Sequence, residues 1–445
     1  LVSYLERLVW LTTGNYGRQG TANAFVPFLS LGKASKGQMG SAGGGPPRVS
    51  PVSGARIITG LIPCNVIPEE ILTDHPNRYR AMIIQSGNPV HSLADSQRMR
   101  QAMRALEFSV VIDVAMTETA RQADYVLPAT SQFEKAEATF FNLEFPDNAF
   151  HLRQPVFTPP DGPLDEGEIT ARLLEQMGAL TPGDYRALGL AAKAGLTAFS
   201  AAFLARTALR PGLAKFAGPL LYCTLGPSLP RGMRMAAVVW GLCLAYVRDH
   251  PEAAARAGFR GPLPVAANRL FRRFLEEPSG VVFARSTFEE SWRAIRRPGH
   301  RINLAIPELL ERLDQALATP PAPDPAFPYV LSAGERRSDT ANTVIRSNRW
   351  QKTALYGSLR ISPQDAADIG CRTGDRRQLS TRRGSADVVI EVSDRMRPGH
   401  ISLPNGTGLS LEETRGNGES LGVAPNELTD ASRRDFLAGT PWHKH

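Results

Sequence analysis

The sequence contains few cysteines, and they lie far apart. Among its 445 residues there are 4 cysteines, Cys64, Cys223, Cys243 and Cys371, and none lies close enough to another to form a Cys-x-x-Cys pair. This spacing excludes a zinc, haem or iron–sulfur motif within these residues, and it argues against a disulfide scaffold. Because Cys64 stands alone in an apolar stretch, we expect it to be buried packing rather than a metal ligand or a nucleophile.

Other sequence signals are also missing. No Gly-x-Gly-x-x-Gly follows a strand and no Gly-x-x-x-x-Gly-Lys-Ser/Thr occurs, which argues against an ordinary nicotinamide fold and against a P-loop. The 8 histidines are scattered, so we expect no zinc site. The apolar stretches 216–230 and 235–247 are shorter than the roughly 18–20 residues that span a bilayer, and we expect buried helices there. The formal net charge of +8 without a lysine tract favours anionic small ligands over nucleic acid.

Strand-like and helix-like segments alternate between residues 80 and 128. The apolar run at 80–85 has the pattern of a short strand that is buried on both faces, and 108–113 and 124–128 are predicted as the next two strands. Between the first two, residues 95–106 are amphipathic and place Met99 and Met103 on one face. The alternation predicts a parallel α/β sheet, in which ligands bind beyond the carboxyl ends of the strands.

The whole chain divides by composition into four consecutive segments. We predict an α/β domain over 1–165, a mostly helical segment over 166–318, a proline-rich linker over 319–327 and a β domain, expected to be a barrel, over 328–445. The predicted helices of the second segment are 166–177, 185–209 and 307–317. The predicted strands of the β domain are 328–332, 377–381, 386–392 and 400–403.

Polar groups that follow the predicted strands are the candidate binding residues. Gly87 and Asn88 suit the close approach of a ligand, although a plain turn with an asparagine cap explains them equally well. Asp113 can bind a base edge or ribose hydroxyls, whereas the alternative for the residues after it is that Thr117 caps a helix and Glu118 opposes a helix dipole. A third group opens the β domain and suits a pyrophosphate, unless its arginines are only solvated; it contains Ser332, Gly334, Arg336, Arg337 and Asn342.

A series of short motifs in a fixed order resembles a known family. The first part of the chain carries Ser86-Gly87-Asn88-Pro89, Thr117-Glu118-Thr119-Ala120 and Ala123-Asp124-Tyr125-Val126-Leu127-Pro128. The last part carries Ser362-Pro363-Gln364-Asp365-Ala366, Pro404-Asn405-Gly406 and Pro425-Asn426-Glu427-Leu428-Thr429. Over roughly residues 80–165 and 328–442 the chain resembles the molybdopterin oxidoreductases of the dimethyl-sulfoxide-reductase superfamily, on their formate-dehydrogenase-like side.

The resemblance implies a fold and a cofactor. The implied fold is an α/β parallel-sheet molybdopterin-binding domain with a helical segment, followed by a six-stranded double-psi β-barrel. The implied cofactor is molybdenum bis(molybdopterin guanine dinucleotide), with Gly87, Asn88 and Asp113 facing one guanine nucleotide. The loop 332–343, Asn405 and Asn426 would close over the cofactor from the barrel. In the family pattern the [4Fe–4S] cluster and the molybdenum ligand fall before the position of Leu1, so we assign no metal ligand and no catalytic residue here.

Two functional hypotheses follow from these patterns. Because the chain starts inside an apolar, helix-like stretch, we expect that something precedes Leu1. The first hypothesis is therefore the carboxyl-terminal part of a molybdenum oxidoreductase that performs two-electron chemistry on a small-molecule substrate, with an electron-transfer partner and no nucleic acid. The alternative is a truncated, non-catalytic remnant or a pterin-nucleotide-binding scaffold. The sparse cysteines and the lack of a predicted spanning helix favour a cytoplasmic location.

Overall fold

The computed structural model describes residues 1–29, 48–58, 60–139, 142–295, 297–318, 324–335, 355–409 and 422–441. The chain forms two compact units, and each combines two separate stretches of sequence. Residues 1–31 and 129–320 form the helical unit, and residues 32–128 and 321–445 form the sheet unit. The units follow spatial contacts rather than chain order, so the four consecutive segments proposed from composition stay a prediction.

Helices and strands of the described residues are numbered here along the chain. The α-helices are α1 (Val2–Thr12), α2 (Ile67–Leu72), α3 (Pro89–Ser92), α4 (Ser96–Ala105), α5 (Glu166–Gln176), α6 (Pro182–Lys193), α7 (Leu196–Leu209), α8 (Ala217–Thr224), α9 (Ala237–Asp249), α10 (Pro251–Arg256), α11 (Leu263–Glu276), α12 (Phe288–Arg293), α13 (Pro307–Ala318) and α14 (Pro363–Asp368). The strands are β1 (Ala81–Gln85), β2 (Phe108–Asp113), β3 (Tyr125–Pro128), β4 (Glu137–Ala138), β5 (Asp147–Phe150), β6 (Leu152–Arg153), β7 (Val281–Arg285), β8 (Val330–Glu335), β9 (Leu359–Ile361), β10 (Arg376–Ser380), β11 (Ser385–Val392) and β12 (His400–Pro404).

The predicted parallel sheet forms in the sheet unit. Strands β1, β2 and β3 lie side by side in that order, and both pairs are parallel. Helix α4 packs its buried Met99 and Met103 into the same core as Ile84 and Val111. Since parallel strands end at the same edge, the loops after Gln85 and after Asp113 are neighbours, as the sequence predicts.

The last part of the chain forms a separate, mixed sheet in the order β10-β11-β9-β12-β8. Its core contains Leu331, Ile361, Ile390, Ile401 and Leu403. The predicted strands correspond to β8, β10, β11 and β12, whereas β9 is only three residues long and too short to show an alternating pattern. A mixed α/β protein with a second, multi-strand sheet is therefore confirmed, and closure into a double-psi barrel stays a prediction.

The helical unit has an aromatic core. Trp240 is 0% exposed, and its ring meets those of Phe199 and Phe203 edge to face at centroid distances of 5.2 Å. The two apolar stretches form α8 and α9, whose Leu221 and Cys243 are buried, as expected for core helices. Within the described residues, no helix combines the length and apolar character needed to cross a membrane.

One expectation for the helical unit is wrong. The single helix predicted over 185–209 is two helices, because α6 ends at Lys193 and α7 begins at Leu196. Gly195 lies between them with a φ of 109°, a conformation that suits glycine and that no helix can contain. The predicted mostly helical segment also contains β7, which pairs antiparallel with β5.

A buried carboxylate fastens the segment 48–58 onto α2. Glu70 is 0% exposed, and its carboxylate accepts hydrogen bonds from Val52 N (3.0 Å), Ser53 N (2.9 Å) and Ser53 Oγ (2.6 Å). Burial raises the pKa of this carboxyl, but hydrogen bonds from Ser50, Ser53 and Val52 lower it by more, so the pKa of Glu70 lies below its ordinary value. The folded state therefore favours the ionised form of Glu70.

We expect Glu70→Gln to weaken the dependence of stability on acid pH. A carboxyl whose pKa is lower in the folded state stabilises the fold above its unfolded pKa, about 4.3 for glutamate, and this contribution disappears as the pH falls through the folded pKa. Urea titrations should show that the free energy of unfolding of the unaltered protein falls more steeply in acid. At neutral pH the variant should be less stable by about 1–3 kcal/mol.

The control for this experiment is Asp387→Asn, which removes an exposed carboxylate of the same unit. Its pH profile should follow that of the unaltered protein. If Glu70→Gln and the unaltered protein have parallel profiles, the account of Glu70 is contradicted.

Candidate functional site

Asn88 joins the loops that follow β1 and β2. Its side chain is 6% exposed, and Nδ2 donates to Glu118 Oε2 at 2.6 Å. Oδ1 accepts hydrogen bonds from Thr119 N at 3.1 Å and from Thr119 Oγ1 at 2.8 Å. Val90 N donates to the same hydroxyl at 3.0 Å. Because both ends of the amide bind the protein, Asn88 fixes the position of one loop against the other.

The backbone just before Asn88 leaves room for a ligand. Ser86 has a φ of 53°, which is uncommon for a residue other than glycine and recurs at ligand sites. A Cβ atom built on Gly87 would lie 3.7 Å from Ile84 Cγ2 and 3.8 Å from Pro89 Cδ, which are ordinary van der Waals distances. The fold itself therefore tolerates a side chain at position 87, and any need for glycine would come from a ligand.

Asp113 places a carboxylate at the same edge of the sheet. Its Oδ1 accepts a hydrogen bond from Val114 N at 2.7 Å and a longer one from Ala115 N at 3.4 Å. No donor in the described part of the chain bonds to Oδ2. A half-buried carboxylate with one oxygen held and the other open suits a ligand that offers N–H or O–H groups.

The candidate residues of the β domain lie on adjacent strands. Ser332 is opposite Ser402 in the parallel pair of β8 and β12. Gly334 is exposed and has a φ of 106°, which favours glycine. Asn405 follows β12, and its N–H donates to Glu335 O at 2.7 Å. The other candidates of this group, Arg336, Arg337 and Asn342, lie outside the described residues.

An arginine between two glutamates holds the end of β8. Arg360 donates from Nη1 to the Glu335 carboxylate and from Nε to Glu391 Oε1 at 3.0 Å. Ser402 Oγ also donates to Glu335 Oε2, at 2.8 Å. Sequence reasoning missed this network because its members lie on different strands and only the strand register brings them together. The network positions the residue from which the predicted phosphate loop departs.

The turn 425–427 connects the two sheets inside the sheet unit. It contacts both α4 and β8. Asn426 Nδ2 donates to His91 O at 2.8 Å, and Asn426 Oδ1 accepts from Thr429 Oγ1 at 3.1 Å. Its neighbour Glu427 forms a two-pronged ion pair with Arg100, with N–O distances of 2.6 and 2.8 Å. We refer to this contact between the loop 86–92, α4 and the turn 425–427 as the junction.

Two more ion pairs cross the sheet unit near the junction. Arg383 pairs with Asp95, and Arg434 Nη2 pairs with Glu69 Oε2 at 3.2 Å. The hydrogen bonds with Glu427 raise the pKa of Arg100 at the junction itself, so this arginine stays charged. A single sequence carries no signal for these pairs, because Arg100 and Glu427 are 327 residues apart and Glu69 and Arg434 are 365 apart.

Candidate metal ligands do not converge in the part of the chain that the structure describes. There, no group of three or more His, Cys, Asp or Glu side chains has a geometry that could hold a metal ion. Cys243 and Cys371 are buried, but Cys64 is exposed. The expectation that Cys64 is buried packing is therefore wrong, because the turn Cys64–Val66 directs Asn65 and Val66 inward and leaves Cys64 outside.

Two protein families match this chain. Residues 8–175 match the molybdopterin oxidoreductase family, and residues 329–445 match the molydopterin dinucleotide binding domain. The first match includes Gly87, Asn88 and Asp113, and the second includes all the candidate residues of the β domain. Both sides of the junction therefore lie within matched regions.

Individual relatives match shorter stretches. The alpha subunit of a formate dehydrogenase from Methanocaldococcus jannaschii is 33% identical over 109 residues, which is 24% of this chain and 16% of that protein. The trimethylamine-N-oxide reductase of Vibrio vulnificus is 44% identical over 57 residues, which is 13% of this chain and 7% of that protein.

A solved structure supports the fold over a longer span. Acetylene hydratase from Pelobacter acetylenicus superimposes with a TM-score of 0.53 and 15% sequence identity, over 87% of this chain and 46% of its own length. This similarity shows the fold alone. Each alignment covers well under two thirds of the protein compared.

We expect Asn88→Asp to destabilise the protein in a pH-dependent way. The new carboxylate would face Glu118 Oε2, which lies 2.6 Å from the Asn88 amide nitrogen. Because a buried carboxylate and the half-buried Glu118 carboxylate repel each other strongly at that distance, the folded state favours taking up a proton, and its stability then falls as the pH rises. Chemical unfolding at pH 7 should show a loss of about 2 kcal/mol or more, and a smaller loss at about pH 5.

Asn405→Asp adds the same charge to the sheet unit and is the control. No hydrogen bond of the Asn405 side chain is found within the described residues, so this variant should change stability little at either pH. A loss of stability in Asn88→Asp that does not vary with pH would contradict the prediction.

Proposed function

We propose that the sheet unit of this chain, which belongs to the molybdopterin oxidoreductases of the dimethyl-sulfoxide-reductase superfamily, binds a molybdopterin guanine dinucleotide at the junction. The observation that carries the proposal is the hydrogen bond from Asn426 to the carbonyl of His91, three residues after Asn88. It joins the strand-end loops of the α/β sheet to a turn of the dinucleotide-binding domain. A ligand that contacts residues of both matched regions could therefore bind at the junction.

The donor and acceptor groups at the sheet edge fit a guanine nucleotide. Guanine offers two adjacent N–H donors, and a carboxylate such as that of Asp113 can accept both in parallel. Cytosine offers one amino group beside an acceptor, and this acceptor would face a carboxylate oxygen without donating to it. The room beside Gly87 allows a nucleotide to approach the backbone closely. The chemistry of these residues therefore favours the guanine form of the cofactor.

Other candidate residues would bind or position the same cofactor. Asn88 and Asn426 have amide groups that bind the protein, so we propose that they hold the loops in place around the nucleotide. In a double-psi barrel, Ser332, Gly334, Arg336, Arg337, Asn342 and Asn405 would surround the pyrophosphate with N–H, hydroxyl and guanidinium donors. The Arg360 network then fixes the strand from which these donors depart.

The proposed reaction is a two-electron oxidation or reduction of a small molecule. When bound, the molybdenum supplies the redox chemistry, and the chain's own residues bind and orient the pterin dinucleotide. Formate is the proposed substrate by similarity to the Methanocaldococcus protein, of which 16% is aligned, and an electron-transfer partner is proposed on the same ground. The scattered cysteines do not suit an iron–sulfur cluster, so we assign no step to one.

We expect Asp113→Asn to weaken the binding of guanosine monophosphate and to remove the preference for guanine. Hydrogen bonds to a charged group contribute about 1.5–3 kcal/mol, so affinity should fall by at least about tenfold. Equilibrium dialysis of the full 445-residue chain with guanosine and cytidine monophosphates measures both effects. The unaltered protein should bind the guanosine form more tightly.

Two further variants complete this experiment. Gly87→Ala should fold normally, because the added Cβ has room in the protein, yet it should weaken nucleotide binding. Asp387→Asn, an exposed carboxylate of the same unit, should change neither property. Equal binding of the two nucleotides by the unaltered protein, or unchanged binding in Asp113→Asn, would contradict the assignment of the guanine site.

A further inference from the structure

The helical unit contains a groove that the proposed function does not use. It lies between α7 and α11, and its volume of about 410 Å³ is within the range of roughly 300–1,000 Å³ that is usual for small-molecule sites. The helices that form it, Leu196–Leu209 and Leu263–Glu276, fall between the two family matches at 8–175 and 329–445. Nothing in the matched regions therefore accounts for the groove.

A buried amide opens onto this groove. Asn268 lines it and is only 6% exposed. Its Oδ1 accepts hydrogen bonds from Trp240 Nε1 at 2.7 Å and from Ser200 Oγ at 2.9 Å. Because an indole N–H can only donate, the oxygen of the amide must face Trp240, and the NH₂ group must face the other way.

The NH₂ group of Asn268 lacks an acceptor within the described residues. The nitrogen of this group is not fully enclosed by protein, so it is accessible from the open groove. A donor that faces an open groove and has no partner in the protein can bind a ligand or water there. The amide thus presents two N–H donors to whatever occupies the groove.

The charged lining is mostly cationic. Arg269, Arg272 and Arg273 line the groove together with a single carboxylate, that of Glu276. Arg273 pairs with Glu277 at 2.8 Å, and Arg269 donates to a backbone carbonyl at 3.4 Å. For the exposed Arg272 side chain, no hydrogen bond or ion pair occurs among the described residues. Guanidinium groups bind phosphate oxygens well, because their N–H groups match the spacing of two oxygens.

We propose that the groove between α7 and α11 binds a phosphate group, either free or carried on a small molecule. The Asn268 amide would donate to one phosphate oxygen from the floor, and Arg272 would pair with the others from the rim. Thr197 adds a hydroxyl, and Val265 adds an apolar surface for the rest of a phosphate ester. This site belongs to the helical unit and does not depend on the nucleotide site of the sheet unit.

The test uses the full chain in a phosphate-free buffer, titrated with inorganic phosphate and with phenyl phosphate by isothermal calorimetry. We expect saturable binding at one site, with phenyl phosphate the tighter ligand if the natural ligand is an ester. Asn268→Asp keeps the acceptor for Trp240 but replaces the donor with a repelling oxygen. Arg272→Ala removes the lining cation that has no partner among the described residues. Each should weaken binding by at least about tenfold.

Arg186→Ala is the matched control, because Arg186 is an exposed arginine of the same unit that does not line the groove. It should bind phosphate as the unaltered protein does. If Asn268→Asp fails to fold, as circular dichroism would show, Arg272→Ala alone decides. Non-saturable binding, or equal weakening in Arg186→Ala and Arg272→Ala, would overturn the proposal.

Discussion

The two sheets of the sheet unit are joined by the hydrogen bond from the Asn426 amide to the carbonyl of His91, beside the Arg100–Glu427 pair. The ion pair is about one-third exposed on both sides, so by itself it contributes on the order of 1 kcal/mol or less. Its importance is positional, because two parallel N–H···O bonds fix both distance and angle. This contact holds the strand-end loops of the parallel sheet against the turn 425–427.

This contact matters because the sheet unit is built from two stretches that are far apart in sequence. Residues 32–128 and 321–445 belong to one unit although 192 residues of the other unit lie between them in sequence. The sheet unit contains all the described candidates for nucleotide binding, and the helical unit contains the phosphate groove. The two proposed sites therefore use different parts of the chain and can be altered separately.

Sequence reasoning predicted the helices and strands that a local hydrophobic pattern identifies. The run Phe108–Asp113 has the bounds that the structure gives β2, because its buried central residues are mostly apolar. The prediction failed where a single residue or a tertiary contact determines the local structure. Gly195 divides a periodic helix pattern, a turn directs Cys64 outward, and β9 is three residues long. Arg100 and Glu427 were missed for the same reason, while Asn426 was found only because it lies in a motif.

The central claim is that the junction binds a guanine dinucleotide, and the most direct test is to identify what the native protein carries. The protein would be isolated without oxygen from its own cells, denatured with acid, and its released nucleotides quantified by mass spectrometry together with molybdenum. The account predicts guanine nucleotide and molybdenum in constant proportion to the protein. Cytosine nucleotide in place of guanine, or protein that carries no nucleotide at all, would contradict it.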